Sequence, residues 1–117
     1  MNWAMTQDNL GVVLREIAER VGDKSRLDEA ITSHEAALTM FTRENALSYW
    51  IEGQDNLGDA LQAKGKQGRD IMVLEEAASA YRKALDGLSQ ESDPEYKRIR
   101  TKVDEVLASI DQLKTAP

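Results

Sequence analysis

Apolar residues recur every three or four positions along most of the chain, and this spacing is typical of α-helices that bury one face. The first stripe begins at Leu10 and ends before Gly22, and the second runs from Leu27 to Phe41. Ser25 is the predicted N-cap of the second helix, because a Ser ahead of an apolar run can accept a hydrogen bond from an unpaired helix N–H group. The pattern therefore predicts two helices joined by a short turn.

The next stretch of the chain shows the same arrangement. A polar turn at residues 42–45, with Asn45 as its candidate cap, precedes a helix predicted from Ile51 to about Lys64. A second turn at residues 65–70 leads to a helix predicted from Ile71 to about Leu88. We expect these two helices to form a second hairpin.

A strong start signal predicts the last helix. Ser92 and Asp93 precede Pro94, and Glu95 follows it. Pro is favoured at the first helical position, and acidic side chains are favoured near the positive helix end. This helix is expected to run to about Leu113, which makes five helices in all.

The two hairpins are copies of one unit. When the chain is shifted by 47 residues against itself, Gln7–Gly11 matches Gln54–Gly58 without a difference. Of the 44 aligned pairs, 14 are identical, whereas ordinary residue usage gives about 3 by chance. The chain is therefore interpreted as one domain, 1–117, with repeat 1 at about 1–44, repeat 2 at about 45–91 and a capping helix at about 93–114.

The repeated residues resemble the tetratricopeptide repeat (TPR) family, in its long-helix bacterial or kinesin-light-chain-like variety. Trp3–Gly11 is similar to the Trp-Ala-x-Thr-Gln-x-Asn-Leu-Gly pattern of bacterial arrays. The period of 47 residues departs from the usual 34, and His34 stands where the second unit has the aromatic Tyr81. The family pattern of Leu-Gly, a large apolar residue, Ala, an aromatic residue and Ala falls on Leu10, Gly11, Leu14, Ala30, His34 and Ala37, and on Leu57, Gly58, Leu61, Ala77, Tyr81 and Ala84.

The resemblance implies an all-α fold, an α-α superhelix of two TPR-like hairpins closed by a C-terminal helix. It also implies a protein–protein interaction scaffold that binds a peptide or partner segment in the concave groove lined by the first helix of each hairpin. The partner's identity is left open. The expected groove residues are Asp8, Asn9, Val12, Glu52, Asp55, Asn56, Asp59, Arg98 and Lys102.

Asn9 and Asn56 occupy equivalent positions, and two interpretations apply to them. An amide both donates and accepts hydrogen bonds, so it can bind a peptide backbone, which is the role that the resemblance implies. Alternatively, each Asn forms a hydrogen bond between helices that fixes the repeat geometry. The mainly acidic groove favours a basic or mixed-charge segment.

A carboxylate clamp is a further possibility that the resemblance implies. When Trp50 is aligned with Tyr96, Arg98 and Lys102 lie one turn apart on the groove side and supply part of such a clamp with Asn56. Asp8 stands where a clamp has a basic residue, and an acid there would repel a carboxylate.

Composition narrows the possible functions. The net charge is −6, no Cys is present and His34 is the single His. An acidic surface disfavours nucleic acid, and no apolar run reaches the length of a membrane span. We therefore expect a cytoplasmic protein that is not an enzyme, holds no cofactor or metal and binds neither nucleic acid nor membrane, with His34 in the core.

The N-terminal end suggests an alternative role. Trp3 begins the first helix with no repeat or cap before it, whereas terminal repeats normally present a polar outer face. The chain is then either a structural self-association module, a homo-oligomer formed through an open N-terminal face, or a fragment of a longer repeat array in a signalling protein.

Overall fold

Five α-helices account for nearly all of the computed structural model, which describes residues 2–115. No strand occurs in that part of the chain, and the prediction of an all-α fold with five helices is confirmed. The helices are α1 (Asn2–Val21), α2 (Lys24–Met40), α3 (Leu47–Gly68), α4 (Ile71–Gly87) and α5 (Pro94–Thr115).

The same type of cap begins the second helix of each unit. Asp23 accepts a hydrogen bond from the Ser25 N–H group at 2.9 Å, and Asp70 accepts one from the Met72 N–H group at 3.0 Å. The prediction that Ser25 caps α2 is therefore wrong, since Ser25 lies in the first turn. Asp23 and Asp70 are themselves one of the identical pairs of the repeat.

Helix α3 is longer at both ends than the sequence predicts. It begins at Leu47, and Ala46 at its N-cap makes no side-chain hydrogen bond. Asn45, the predicted cap, instead accepts a hydrogen bond from the Thr42 N–H group at 2.9 Å and closes the preceding loop. The helix continues past the predicted stop at Lys64 until Arg69, whose φ of 51° places it in the left-handed region.

Helix α5 starts as predicted. Pro94 is its first residue, and Asp93 accepts a hydrogen bond from the Glu95 N–H group at 2.8 Å. A missing N–H group costs nothing at this position, because the first helical N–H groups have no partner within the helix.

Each helix packs against the next one in the chain, and α1 also contacts α3, as α3 contacts α5. Two-residue links join α1 to α2 and α3 to α4, so each of these pairs is a hairpin. The radius of gyration is 14.0 Å, against about 13.4 Å for a globular chain of this length. The largest core cluster lies between α3, α4 and α5 and includes Leu74, Tyr81, Ile99, Val103 and Val106.

One glycine in each hairpin sets the distance between its two helices. A Cβ atom built on Gly58 would lie 2.5 Å from the Tyr81 ring, and one built on Gly11 would lie 2.5 Å from the His34 ring. No side chain fits at these distances, so the glycine of each unit is needed for the close approach of a ring. His34 and Tyr81 are both fully buried, as predicted for His34.

Candidate binding groove

A depression with a volume of about 570 Å³ lies between α3 and α5. Six of the nine predicted groove residues line it: Glu52, Asp55, Asn56, Asp59, Arg98 and Lys102. We call this depression the groove. A second depression, of about 620 Å³, shares Asp59 and Lys102 with it. The ion pair between these two residues, at 3.0 Å, therefore lies between the two depressions.

A charge network ties α5 to α3 along the groove floor. Asp55, only 5% exposed, accepts hydrogen bonds from Arg98 Nη2 and Lys102 Nζ, each at 2.8 Å. Arg98 also pairs with Glu95 at 2.6 Å. These contacts raise the pKa of the Arg98 guanidinium, first through its hydrogen bond with Glu95 and then through Asp55. Both cations are thus neutralised by the protein's own carboxyl groups. A partner's carboxylate would have to displace those carboxyl groups before it could pair with Arg98 or Lys102.

Asp8 is bound at a helix interface and lines neither depression. It is 6% exposed, its Oδ1 atom lies 2.6 Å from Nδ1 of His34, and its Oδ2 accepts a hydrogen bond from Asn56 Nδ2 at 2.8 Å. The carboxyl group thus joins α1 to both α2 and α3. A polar contact of this kind fixes the position of three helices at once.

The contact between Asn56 and Asp8 has a counterpart one unit further on. When Trp50 is aligned with Tyr96, Lys102 takes the position of Asn56, and it donates to Asp55 as Asn56 donates to Asp8. Asp8 of α1 therefore supplies an acceptor to α3, and Asp55 of α3 supplies one to α5. For Asn56, the structure contains the interhelix hydrogen bond that was one of the two sequence interpretations.

The remaining two predicted groove residues lie on α1, away from both depressions. Asn9 is exposed and Val12 is partly buried. Asn9 has no preceding unit in the described chain whose Asp could accept from it. Within residues 2–115, the structure therefore separates two residues that the repeat makes equivalent, because Asn56 has an Asp of the preceding unit beside it and Asn9 does not.

Glu52 is the groove carboxylate that has no hydrogen-bond or ion-pair partner among residues 2–115. Glu52 is exposed, but partial desolvation in the groove raises its pKa above the usual value, and the negative charges of Asp8, Asp55 and Glu95 raise it further. In total, four acids and two bases line the groove. An unpaired acid therefore lies in a negatively charged pocket that a cationic group would stabilise.

Sequence reasoning missed the part that Glu95 plays in the groove. Its position in the first turn of α5 indicated a helix-dipole contact, and it also pairs with Arg98 one turn later. A spacing of three residues between an acid and a base on one helix is a signal that could have identified this pair.

The hydroxyl group of Tyr81 lies beside the same network. It donates to Asp59 at 2.6 Å and lies 2.8 Å from Gln62 Oε1. Burial raises the pKa of this hydroxyl, and the charge of Asp59 raises it further. Tyr81 thus links the core of α4 to the second depression, and its hydroxyl remains protonated there.

The described residues show neither the arrangement of a metal site nor a membrane-spanning helix. No group of His, Cys, Asp and Glu side chains in residues 2–115 has the arrangement of a metal site. None of the described helices is both long enough and apolar enough to cross a membrane.

Comparison with known proteins finds no matching family model, no matching curated protein and no matching solved structure.

Proposed function

We propose that this chain is a TPR-like superhelical module that binds a partner protein through a short basic segment lying in the groove. The observation that carries the proposal is Glu52, an exposed acid that lines the groove, with three acidic neighbours and no partner of its own. A Lys or Arg side chain of the partner would pair with Glu52 and relieve the repulsion from Asp55 and Glu95.

The helix arrangement supports this proposal. The groove is built from the first helix of the second unit and from α5, and α1 and α5 each contact α3. First helices that adjoin one another in this way form the surface on which TPR-like modules bind peptides, as the resemblance implies. The 47-residue period makes α3 22 residues long, about 33 Å, enough for an extended segment of about ten residues.

The groove floor favours a cation over a carboxylate. A carboxylate clamp needs free basic side chains, and both basic side chains of the groove are paired with Asp55. Glu52, in contrast, gains a partner only from outside the chain. Charge complementarity of this kind gives specificity and weakens with added salt.

Selection from a library of displayed peptides tests the proposal. We expect wild-type protein to enrich peptides that contain Lys or Arg, and we expect Glu52→Gln to lose that enrichment. Glu35→Gln is the matched control, because Glu35 is an exposed acid on α2 that does not line the groove. Enrichment of free C-terminal carboxylates would support the clamp instead, and an unchanged selection by Glu52→Gln would contradict the proposal.

A further inference from the structure

The outward face of α1 is an apolar stripe. Five large side chains at helical spacing are 43–67% exposed along its whole length, and no charged residue interrupts them. We call this surface the α1 stripe. Its members are Trp3, Leu10, Val13, Ile17 and Val21.

Inside the molecule, the equivalent face of α3 is covered by α2. Gly53 on that face lets Leu38 of α2 come within 2.8 Å of the place where a Cβ would be. At the other end of the same face, Lys64 pairs with Asp28 of α2 at 2.9 Å. The junction between the two units therefore depends on small residues and one ion pair.

The α1 stripe lacks both features. Val13, Ile17 and Val21 occupy the positions that Ala60, Lys64 and Gly68 occupy in α3. A helix like α2 packed on the stripe would contact larger side chains than it does on α3. Its acidic residue, equivalent to Asp28, would have no cation to pair with. The stripe is therefore unlike the junction between the two units, and it suits an apolar surface that has no charge to pair.

The opposite end of the molecule does not offer such a surface. The outward side of α5 carries exposed charged residues, among them Lys97, Arg100 and Asp104, with Arg100 and Asp104 3.6 Å apart. Head-to-tail stacking would bury these charges against the apolar α1 stripe, where no opposite charge replaces the water they lose. The stripe of a second copy, in contrast, carries no charged residue.

We infer that the α1 stripe is the interface of a homodimer in which two copies pack α1 against α1 in antiparallel orientation. The two-fold axis passes near Val13, at the middle of the stripe. Arg20 then lies near position 6 of the second copy, and Glu16 lies near position 10, so no like charges meet. A parallel pair would place each charged residue at the same height as its own copy, with Arg20 level with Arg20 and Glu16 level with Glu16. This inference is independent of the groove function.

The size of the α1 stripe determines how tightly the two copies are expected to bind. Helix α1 has 20 residues, a length of about 30 Å, so one helix pair is at the low end of specific interfaces, which bury about 1,200 Å² in total. We therefore expect a reversible dimer with a dissociation constant in the micromolar range.

Sedimentation velocity over a series of protein concentrations tests the dimer. The variant Val13→Ala/Ile17→Lys introduces the residues that α3 has at these positions, so both suit this helix, and circular dichroism checks that it folds. We expect its dimer dissociation constant to rise about tenfold or more, because the variant removes apolar burial. Met72→Lys is the control, since Met72 is 74% exposed on α4. A wild type that stays monomeric throughout, or a variant that dimerises like the wild type, would overturn the inference.

Cysteine cross-linking tests the orientation without changing the rest of the stripe, because the chain has no Cys. In an antiparallel pair Val13→Cys lies beside its own copy and forms a disulfide-linked dimer on oxidation. Two Val21→Cys residues lie about 25 Å apart, whereas a disulfide needs Cα atoms within about 7 Å. Efficient cross-linking through Val21→Cys but not Val13→Cys would rule out the antiparallel arrangement.

Discussion

Asp8 and Asn9 are adjacent in the sequence, yet the structure gives them opposite roles. The Asp8 carboxyl group hydrogen-bonds both His34 and Asn56 in a buried position. Asp8→Ala would leave these two polar groups without their partner, and we expect it to lower the free energy of unfolding by about 2–3 kcal/mol. Denaturant unfolding followed by circular dichroism measures the loss.

Asn9→Ala is the matched control for that prediction. Asn9 is exposed, so its replacement should change the free energy of unfolding by no more than about 0.5 kcal/mol. Equal losses for the two variants would contradict the interface role of Asp8. The repeat predicts that Asn9 and Asn56 are equivalent, but contacts depend on the neighbouring unit, which sequence equivalence does not describe.

Glu52 also makes a pH-dependent prediction. Its folded-state pKa is raised above the usual 4.5, so the folded protein binds this proton more tightly than the unfolded chain does. Stability is therefore lost as pH rises from the usual carboxyl pKa through the raised folded value. We expect Glu52→Gln to unfold at a higher denaturant concentration than the wild type at pH 7.

The advantage of Glu52→Gln should vanish at acidic pH. Near pH 4 the Glu52 carboxyl group is mostly protonated in both the folded and the unfolded state, so a neutral Gln changes little. Unfolding midpoints compared at pH 7 and near pH 4 provide the measurement. A variant less stable than the wild type at pH 7 would mean that Glu52 has a favourable partner in the folded protein.

At the scale of the helix, the two Asp caps make the clearest prediction. Asp70→Ala removes the acceptor for the first N–H groups of α4, and Asp23→Ala does the same for α2. Each should lower the free energy of unfolding by about 1 kcal/mol. Ser25→Ala should lower the free energy of unfolding by less than Asp23→Ala in the same denaturant experiment. The reverse order would indicate that Ser25 is the cap of α2.

The sequence predicted the existence of all five helices, and it predicted their ends only where the local signal was specific. Pro94 and Asp93 marked the start of α5 correctly. Gly65 suggested the end of α3, but the helix continues to Gly68. A Cβ on Gly65 would lie 2.7 Å from the Leu74 side chain, so this glycine is needed for packing against α4. The sequence alone does not distinguish a glycine that packing requires from a glycine that ends a helix. The position of the neighbouring helix does.

At the scale of the molecule, the helical repeat brought most of the predicted groove residues together. Six of the nine line one depression, since α3 and α5 use the same helical face. The sequence did not predict that Asp55 neutralises Arg98 and Lys102. That pairing depends on how far α5 is shifted along α3, which the spacing within each helix does not determine.

The central claim is that the groove binds a basic segment through Glu52. Calorimetric titration of one Lys- or Arg-containing peptide from the library selection into wild type, Glu52→Gln and Glu35→Gln tests it most directly. We predict about fivefold weaker binding to Glu52→Gln, equivalent to the loss of one partly exposed ion pair, and unchanged binding to Glu35→Gln. Equal affinity for all three proteins would contradict the claim.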